Sequence, residues 1–206
     1  MSSTTSPKKS VLITGCSAGG IGASLCFTFQ KHGWLVFATA RNTAKIPKDL
    51  TSLPNVEVVQ LDVVDPKSIT AAVGAVQKLL AERNNGSGLD MVINNSGVGL
   101  PGPMLHADID KTKAMFDTNF FGVVRVTQAF MGLLIQAKGT LVNISSIAGE
   151  VPGPYECMPF PPPAPPFPSN HTTNILTPLQ KQCTQQPNPP SQSQANHGVW
   201  NSNRSA

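Results

Sequence analysis

Apolar residues in this chain gather in short unbroken runs separated by longer amphipathic stretches, and the alternation stops near residue 156. The run 11–14 (VLIT) ends in a glycine cluster, the pattern of a buried strand entering a tight turn. Ile21, Leu25 and Phe29 then recur at helical spacing over 21–32, closed by His32-Gly33. Runs at 34–40 (WLVFATA), 56–63 (VEVVQLDV), 91–94 (MVIN) and 140–145 (TLVNIS) predict strands two to five, with helices over 66–83 and 109–137. Such strands, alternating with helices, predict an α/β fold: a Rossmann-like, doubly wound parallel sheet covered on both faces.

From 157 onward the character changes. Residues 159–168 (PFPPPAPPFP) are mostly Pro, and the remainder is rich in Gln, Asn, Ser and Thr, with Lys181 and Arg204 as its only charges. Pro removes backbone donors and blocks helix and central strand, and too little apolar side chain remains to offset the entropy of ordering. The expected organisation is a flexible N-terminus over 1–9, an incomplete dinucleotide-binding domain over 10–156, and a disordered Pro/Gln/Asn-rich tail over 157–206. The sheet is then truncated after the fifth strand, leaving that strand as a bare apolar edge and part of one sheet face uncovered.

Composition narrows the classes. A length of 206 residues fits one domain with an appendage. The net charge is +4, but Lys and Arg are scattered, with no basic helix face and no interleaved aromatics, which argues against nucleic acid. The four cysteines have neither C-x-x-C nor His-paired spacing, so neither a metal site nor a disulfide framework is expected, and a reducing intracellular compartment fits. The start carries no apolar leader, and no run of about 18 apolar residues predicts a transmembrane segment.

Two features carry chemistry. The segment Thr14-Gly15-Cys16-Ser17-Ala18-Gly19-Gly20-Ile21-Gly22 joins the first strand to the first helix. Glycines there let the backbone turn sharply and approach a pyrophosphate, and the helix start offers free N–H groups and a positive dipole end. A plain turn is the competing reading. The second strand ends at Ala40-Arg41-Asn42, and no Asp or Glu lies between Trp34 and Lys48. An acid at this place suits the ribose hydroxyls of NAD, whereas a base suits the 2′-phosphate of NADP. Arg41 therefore points to NADP(H), the alternative being a solvated strand-end arginine.

The motifs T-G-C-S-A-G-G-I-G, L-D-V (61–63), N-N-S-G (94–97), the Asn of F-D-T-N-F-F-G (116–122) and N-I-S-S-I-A-G (143–149) occur in that order. Together they resemble the short-chain dehydrogenase/reductase family over about 10–156. The loops, including Q-A-K-G-T (136–140), are most similar to NADPH-dependent 1-acyldihydroxyacetone-phosphate reductases. The resemblance implies that Gly15, Ser17, Gly20, Ile21 and Gly22 hold the pyrophosphate, Asp62 and Val63 flank the adenine, and Asn94 and Gly97 line the cofactor channel. It implies catalytic roles for Ser146, orienting a carbonyl, and Asn119, holding a relay water. The competing readings are a strand-end capping hydroxyl for Ser146 and an ordinary helix polar position for Asn119. It further implies a small-molecule or lipid-like carbonyl substrate, homo-oligomers in the full-length family form, and a place in the cytosol or on the cytosolic face of endoplasmic reticulum or lipid droplets.

The same resemblance places a proton-donating Tyr at 159 and an activating Lys one helical turn later at 163, where this chain has Pro159 and Pro163. Tyr155 is its single Tyr. The expectation is a reductase-like chain that is an inactive truncated product, its tail read from translated intron. Two alternatives stay open: a non-catalytic NADP-binding protein, and an interaction protein offering FPPPAPPFP (160–168) to polyproline-binding grooves.

Overall fold

The computed structural model describes residues 9–83, 88–99 and 104–146, together with the backbone of Thr172–Asn174. Strands β1 (Ser10–Ile13), β2 (Leu35–Ala40), β3 (Val56–Gln60), β4 (Met91–Asn94) and β5 (Thr140–Asn143) pair in parallel, in the order β3-β2-β1-β4-β5. The chain winds outward from β1 to β3, then crosses back so that β4 adds to the other side of β1. The strand order therefore reverses between β1 and β4, which opens a crevice beyond their C-terminal ends.

Side-chain alternation along β1 builds two cores. Leu12 faces helices α3 (Pro66–Glu82) and α5 (Gly122–Ala137) and packs in one cluster with Phe37, Val76, Val92 and Phe130. Val11 and Ile13 face the other way, in a cluster with Cys26 of α1 (Ile21–Lys31) and Leu50 of the one-turn helix α2 (Lys48–Thr51). Asp65 caps α3, accepting from the Lys67 N–H ahead of Pro66 at the first helical position. Asp108 caps α4 (Ile109–Phe116), and the N–H groups of Lys111 and Asp110 hold its carboxyl below the ordinary carboxylate range.

The long helix predicted over 109–137 is present as α4 and α5, with a π-helical stretch, Asp117–Phe121, between them. Hydropathy of individual residues did not reveal that this 29-residue helix, with a mean hydropathy of 1.4 in its most apolar window, is long and apolar enough to cross a membrane. In the fold, Val126, Phe130, Leu133 and Leu134 of this helix are buried in the core.

One expectation about the sheet needs correction. Strand β5 is not a bare edge, because Thr172–Asn174 forms a sixth parallel strand, β6, in the register Leu141↔Thr172, Val142↔Thr173 and Asn143↔Asn174. An unpaired edge binds an extended segment through main-chain groups, which need no particular side chains. Part of the tail expected to lack structure thus joins the sheet. The remaining tail, Tyr155, Pro159, Pro163, the stretch 160–168 and most of the N-terminus lie outside the described residues.

Candidate cofactor site

The glycine turn leaves β1 at Thr14 and is fixed from three sides. Thr14 N–H donates to the Ile93 carbonyl at 3.0 Å, Cys16 N–H to that of Thr39 at 2.9 Å, and Ala18 N–H to that of Lys45 at 2.8 Å. Gly15 and Gly19 lie in the left-handed region, at φ of 75° and 76°. Gly20, extended at φ −93°, is the N-cap of α1 and supplies no side-chain cap. The first N–H groups of α1 thus meet no capping side chain, and its first turn carries no acid. Ser17 offers its carbonyl to Gly20 N–H at 3.1 Å, and Ile21 leaves its side chain 63 % exposed at the helix start.

Below the turn the packing is close. A Cβ on Gly22 would fall 2.6 Å from both Asn95 Nδ2 and the Gly15 carbonyl oxygen. Asn95 Nδ2 donates to the carbonyls of Thr14 at 2.8 Å and Gly15 at 3.2 Å. The Thr14 hydroxyl accepts from the backbone N–H groups of Asn95 and Ser96, each at 2.9 Å. The ends of β1 and β4 are thereby locked across the crevice. Cys16 Sγ lies beneath the turn, 3.1 Å from the Ile13 carbonyl oxygen and 3.4 Å from Cys26 Sγ. The contact with Cys16, followed by burial, pushes the Cys26 thiol well above its ordinary range.

The other candidates ring this turn at the C-terminal ends of the strands. Arg41 is exposed just past β2, and its carbonyl accepts from Gln60 Nε2 at 3.3 Å. Asp62 follows β3, its carboxylate accepting from Val64 N–H at 3.2 Å. The Val63 side chain is buried in the core, so it turns away from the crevice. Asn94 is likewise buried, and its Nδ2 donates to Asn143 Oδ1 at 2.9 Å and Thr127 Oγ1 at 3.2 Å. Its amide joins β4, β5 and α5, and it is Asn95 that touches the glycine turn. Gly97 is exposed. Asn119, in the π-helical stretch, clasps the adjoining loop: Val98 N–H donates to its Oδ1 at 2.9 Å and its Nδ2 donates to the Val98 carbonyl at 2.8 Å. Ser146 is exposed beyond β5, where Ile144 N–H extends the ladder to the Asn94 carbonyl at 2.9 Å.

The structure therefore brings Gly15, Gly22, the N-N-S-G segment and Asn119 into one connected framework. Sequence reasoning missed Thr14 and Asn95 as the parts that lock it. The signal was present as the polar residue opening T-G and the second Asn of N-N, each at a strand end where backbone groups need partners.

Comparison with known proteins agrees with this geometry. The family model for short chain dehydrogenases matches residues 9–158. Short-chain dehydrogenase cctT of Talaromyces islandicus is 42% identical over 143 residues, 69% of this chain and 48% of that protein. The NADPH-dependent 1-acyldihydroxyacetone phosphate reductase of Schizosaccharomyces pombe is 40% identical over 145 residues, 70% of this chain and 47% of that protein. Among solved structures, NADPH-bound carbonyl reductase from chicken fatty liver superposes with a TM-score of 0.57 at 30% identity, covering 68% of this chain and 58% of that one. An actinorhodin polyketide ketoreductase with NADPH gives 0.64 at 27% identity, covering 74% and 58%. The chain spans about half the length of the curated relatives it matches. With the reversed strand order, the glycine turn and the N-N-S-G lock in place, this chain belongs to the short-chain dehydrogenase family.

Proposed function

We propose that this chain binds NADP(H) in the crevice between β1 and β4 and does not complete the carbonyl reduction that its family resemblance implies. The observation that carries the binding half is the glycine turn. Gly22 is held so close to Asn95 that no side chain fits, and a Cβ on Gly15, itself at φ 75°, would crowd Ser96 at 3.0 Å, while a Cβ on Gly19 would meet nothing. The backbone is thus pressed down on one side and open on the other, as a pyrophosphate approaching the start of α1 requires. Gly15, Ser17, Gly20, Ile21 and Gly22 would hold the pyrophosphate, Asp62 and the Val63 backbone the adenine end, and Arg41 the 2′-phosphate. Gly97 lines the channel, with Asn94 bracing it from below. The NADPH-bound structural neighbours and the NADPH-dependent relative support the choice of NADP(H).

When bound, the reduced cofactor supplies a hydride to a carbonyl carbon. Ser146 would orient that carbonyl, and Asn119 a relay water. The forming alkoxide also needs a proton, and positions 159 and 163 hold Pro where the family resemblance expects Tyr and Lys. Loss of a positioned general acid costs about 10²–10⁴ in rate. The substrate class we favour is an acyl-dihydroxyacetone phosphate or a comparable lipid-like ketone, from the likeness to the Schizosaccharomyces pombe enzyme. The test is to follow NADPH absorbance with the purified 206-residue chain and a panel of ketones including an acyl-dihydroxyacetone phosphate. Binding without turnover is the expected result; steady consumption at an ordinary enzymatic rate overturns the proposal.

A further inference from the structure

We propose that Asp117 and Arg125 form a register clamp that holds the π-helical turn and so aims Asn119 at Val98. A π turn is intrinsically less favourable than continued α-helix and persists where something outside the backbone holds it. Here the Gly122 N–H reaches back to the Asp117 carbonyl, one residue further than in an α-helix. The Asp117 carboxylate receives Arg125 Nη2 at 2.7 Å, and Arg125 Nη1 lies 3.5 Å from the Asp117 carbonyl oxygen. The same guanidinium stands 5.9 Å from the centroid of the Phe121 ring, inside the turn.

The spacing of the pair shows what it reads. In a regular α-helix, residues eight apart are offset by about 80° around the axis, and those seven apart by only about 20° in the other sense. One inserted residue gives Asp117 and Arg125 the angular relation of a seven-residue pair, which puts them on one face. The ion pair is therefore matched to the bulged helix. If the bulge relaxed into α-helix, the pair would rotate apart, and Asn119, inside the bulge, would turn away from the Val98 main chain that it grips through both N–H and C=O. Gly122 fits the same register, because a Cβ there would fall 2.9 Å from Val63 Cγ2. Asp117 and Arg125 are thus positioning residues for Asn119. The clamp does not depend on the cofactor reading, although the functional weight of Asn119 does.

Residue-resolved hydrogen exchange by NMR on the full chain tests this. In Asp117→Ala and Arg125→Ala, protection of Val98 N–H and of the Asn119 side-chain amide should fall at least about tenfold, since both depend on one bond pair. Ser96 N–H, bound to Thr14 Oγ1 in the same segment, and Val92 in the core of β4 should keep theirs, which separates loss of aim from loss of stability. The swap Asp117→Arg with Arg125→Asp should restore part of the Val98 protection. Should Arg125→Ala not fold, Arg125→Lys, which keeps the charge and loses the fork, should give an intermediate loss at Val98 alone. Unchanged Val98 protection in these variants, a fall shared equally by Ser96 and Val92, or a charge swap without recovery overturns the proposal.

Discussion

The Cα of Gly22 faces the Asn95 side-chain amide so closely that a methyl group added there would fall 2.6 Å from Nδ2. The contact sits where helix α1 meets the end of β4, directly under the glycine turn. Neither partner can retreat freely, because Asn95 Nδ2 is committed to the Thr14 and Gly15 carbonyls. Gly22→Ala should therefore destabilise the fold by about 1–3 kcal/mol, the usual cost of overpacking, and weaken NADPH binding. Urea denaturation and equilibrium dialysis check the two halves; a variant as stable as the parent contradicts the close approach.

The Thr14 hydroxyl tests the same lock from the other side. It is buried and accepts two backbone N–H groups, those of Asn95 and Ser96. Thr14→Val keeps the shape and strands both donors, at about 1–3 kcal/mol for each left unsatisfied. Thr14→Ser keeps the acceptor and should stay within about 1 kcal/mol of the parent, apart from its lost methyl group. Equal stabilities for the Val and Ser variants would show that the hydroxyl carries no structural weight.

The buried Cys26 thiol gives a pH dependence with a definite sign. Cys26 has its pKa raised in the folded chain, first by the contact with Cys16 and then by burial. In the unfolded chain that thiol, with a pKa of about 8.5, loses its proton more readily. The contribution to stability is thus complete below about pH 8.5 and falls as pH rises beyond it, by up to about 1.4 kcal/mol per pH unit. Urea midpoints at pH 7 and pH 10 should show the drop, and Cys26→Ala should lessen it. The same burial should leave both thiols unreactive to an aromatic disulfide reagent until the chain unfolds. Rapid labelling of the native chain would contradict the packing beneath the turn.

The composition break at 156–157 makes a prediction about the gene. The family match ends at residue 158, just before the position at which the resemblance expects the Tyr. Glu156-Cys157 can be encoded with a GT dinucleotide across the codon junction. Sequencing the locus and its transcripts should find a downstream acceptor that restores a Tyr-x-x-x-Lys frame with Tyr at 159 and Lys at 163. No such frame, together with abundant tail peptides in mass spectra, would instead favour a non-catalytic NADP-binding protein.

Much of this architecture was legible in the sequence because buried parallel strands must be nearly continuous in apolar residues. The runs VLIT, MVIN and TLVNIS therefore marked β1, β4 and β5 within a residue or two of their ends. What stayed hidden depended on partners far away in sequence. Asn94 reads as a channel residue in a motif, yet its amide is spent on Asn143 and Thr127, residues brought near only by the folded sheet and helix. The π turn within 109–137 shifts the helical phase by about 100°, but α4 on its N-terminal side is only 8 residues long, too short a stretch for hydrophobic periodicity to register the shift. The pairing of Thr172–Asn174 with β5 is a main-chain interaction that a polar, Pro-rich neighbourhood does not announce.

Calorimetric titration of the full chain with NADPH and with NADH reads out the preference at the end of β2. NADPH should bind and NADH should bind more weakly, because Arg41 stands exposed past β2 with no acid from Trp34 to Lys48. Arg41→Ala should then weaken NADPH binding by about ten- to a hundredfold, the worth of a hydrogen bond to a charged group, and leave NADH nearly unchanged. NADH binding as tightly as NADPH, or no binding of either by a folded chain, would rule out an NADP(H) site at Arg41.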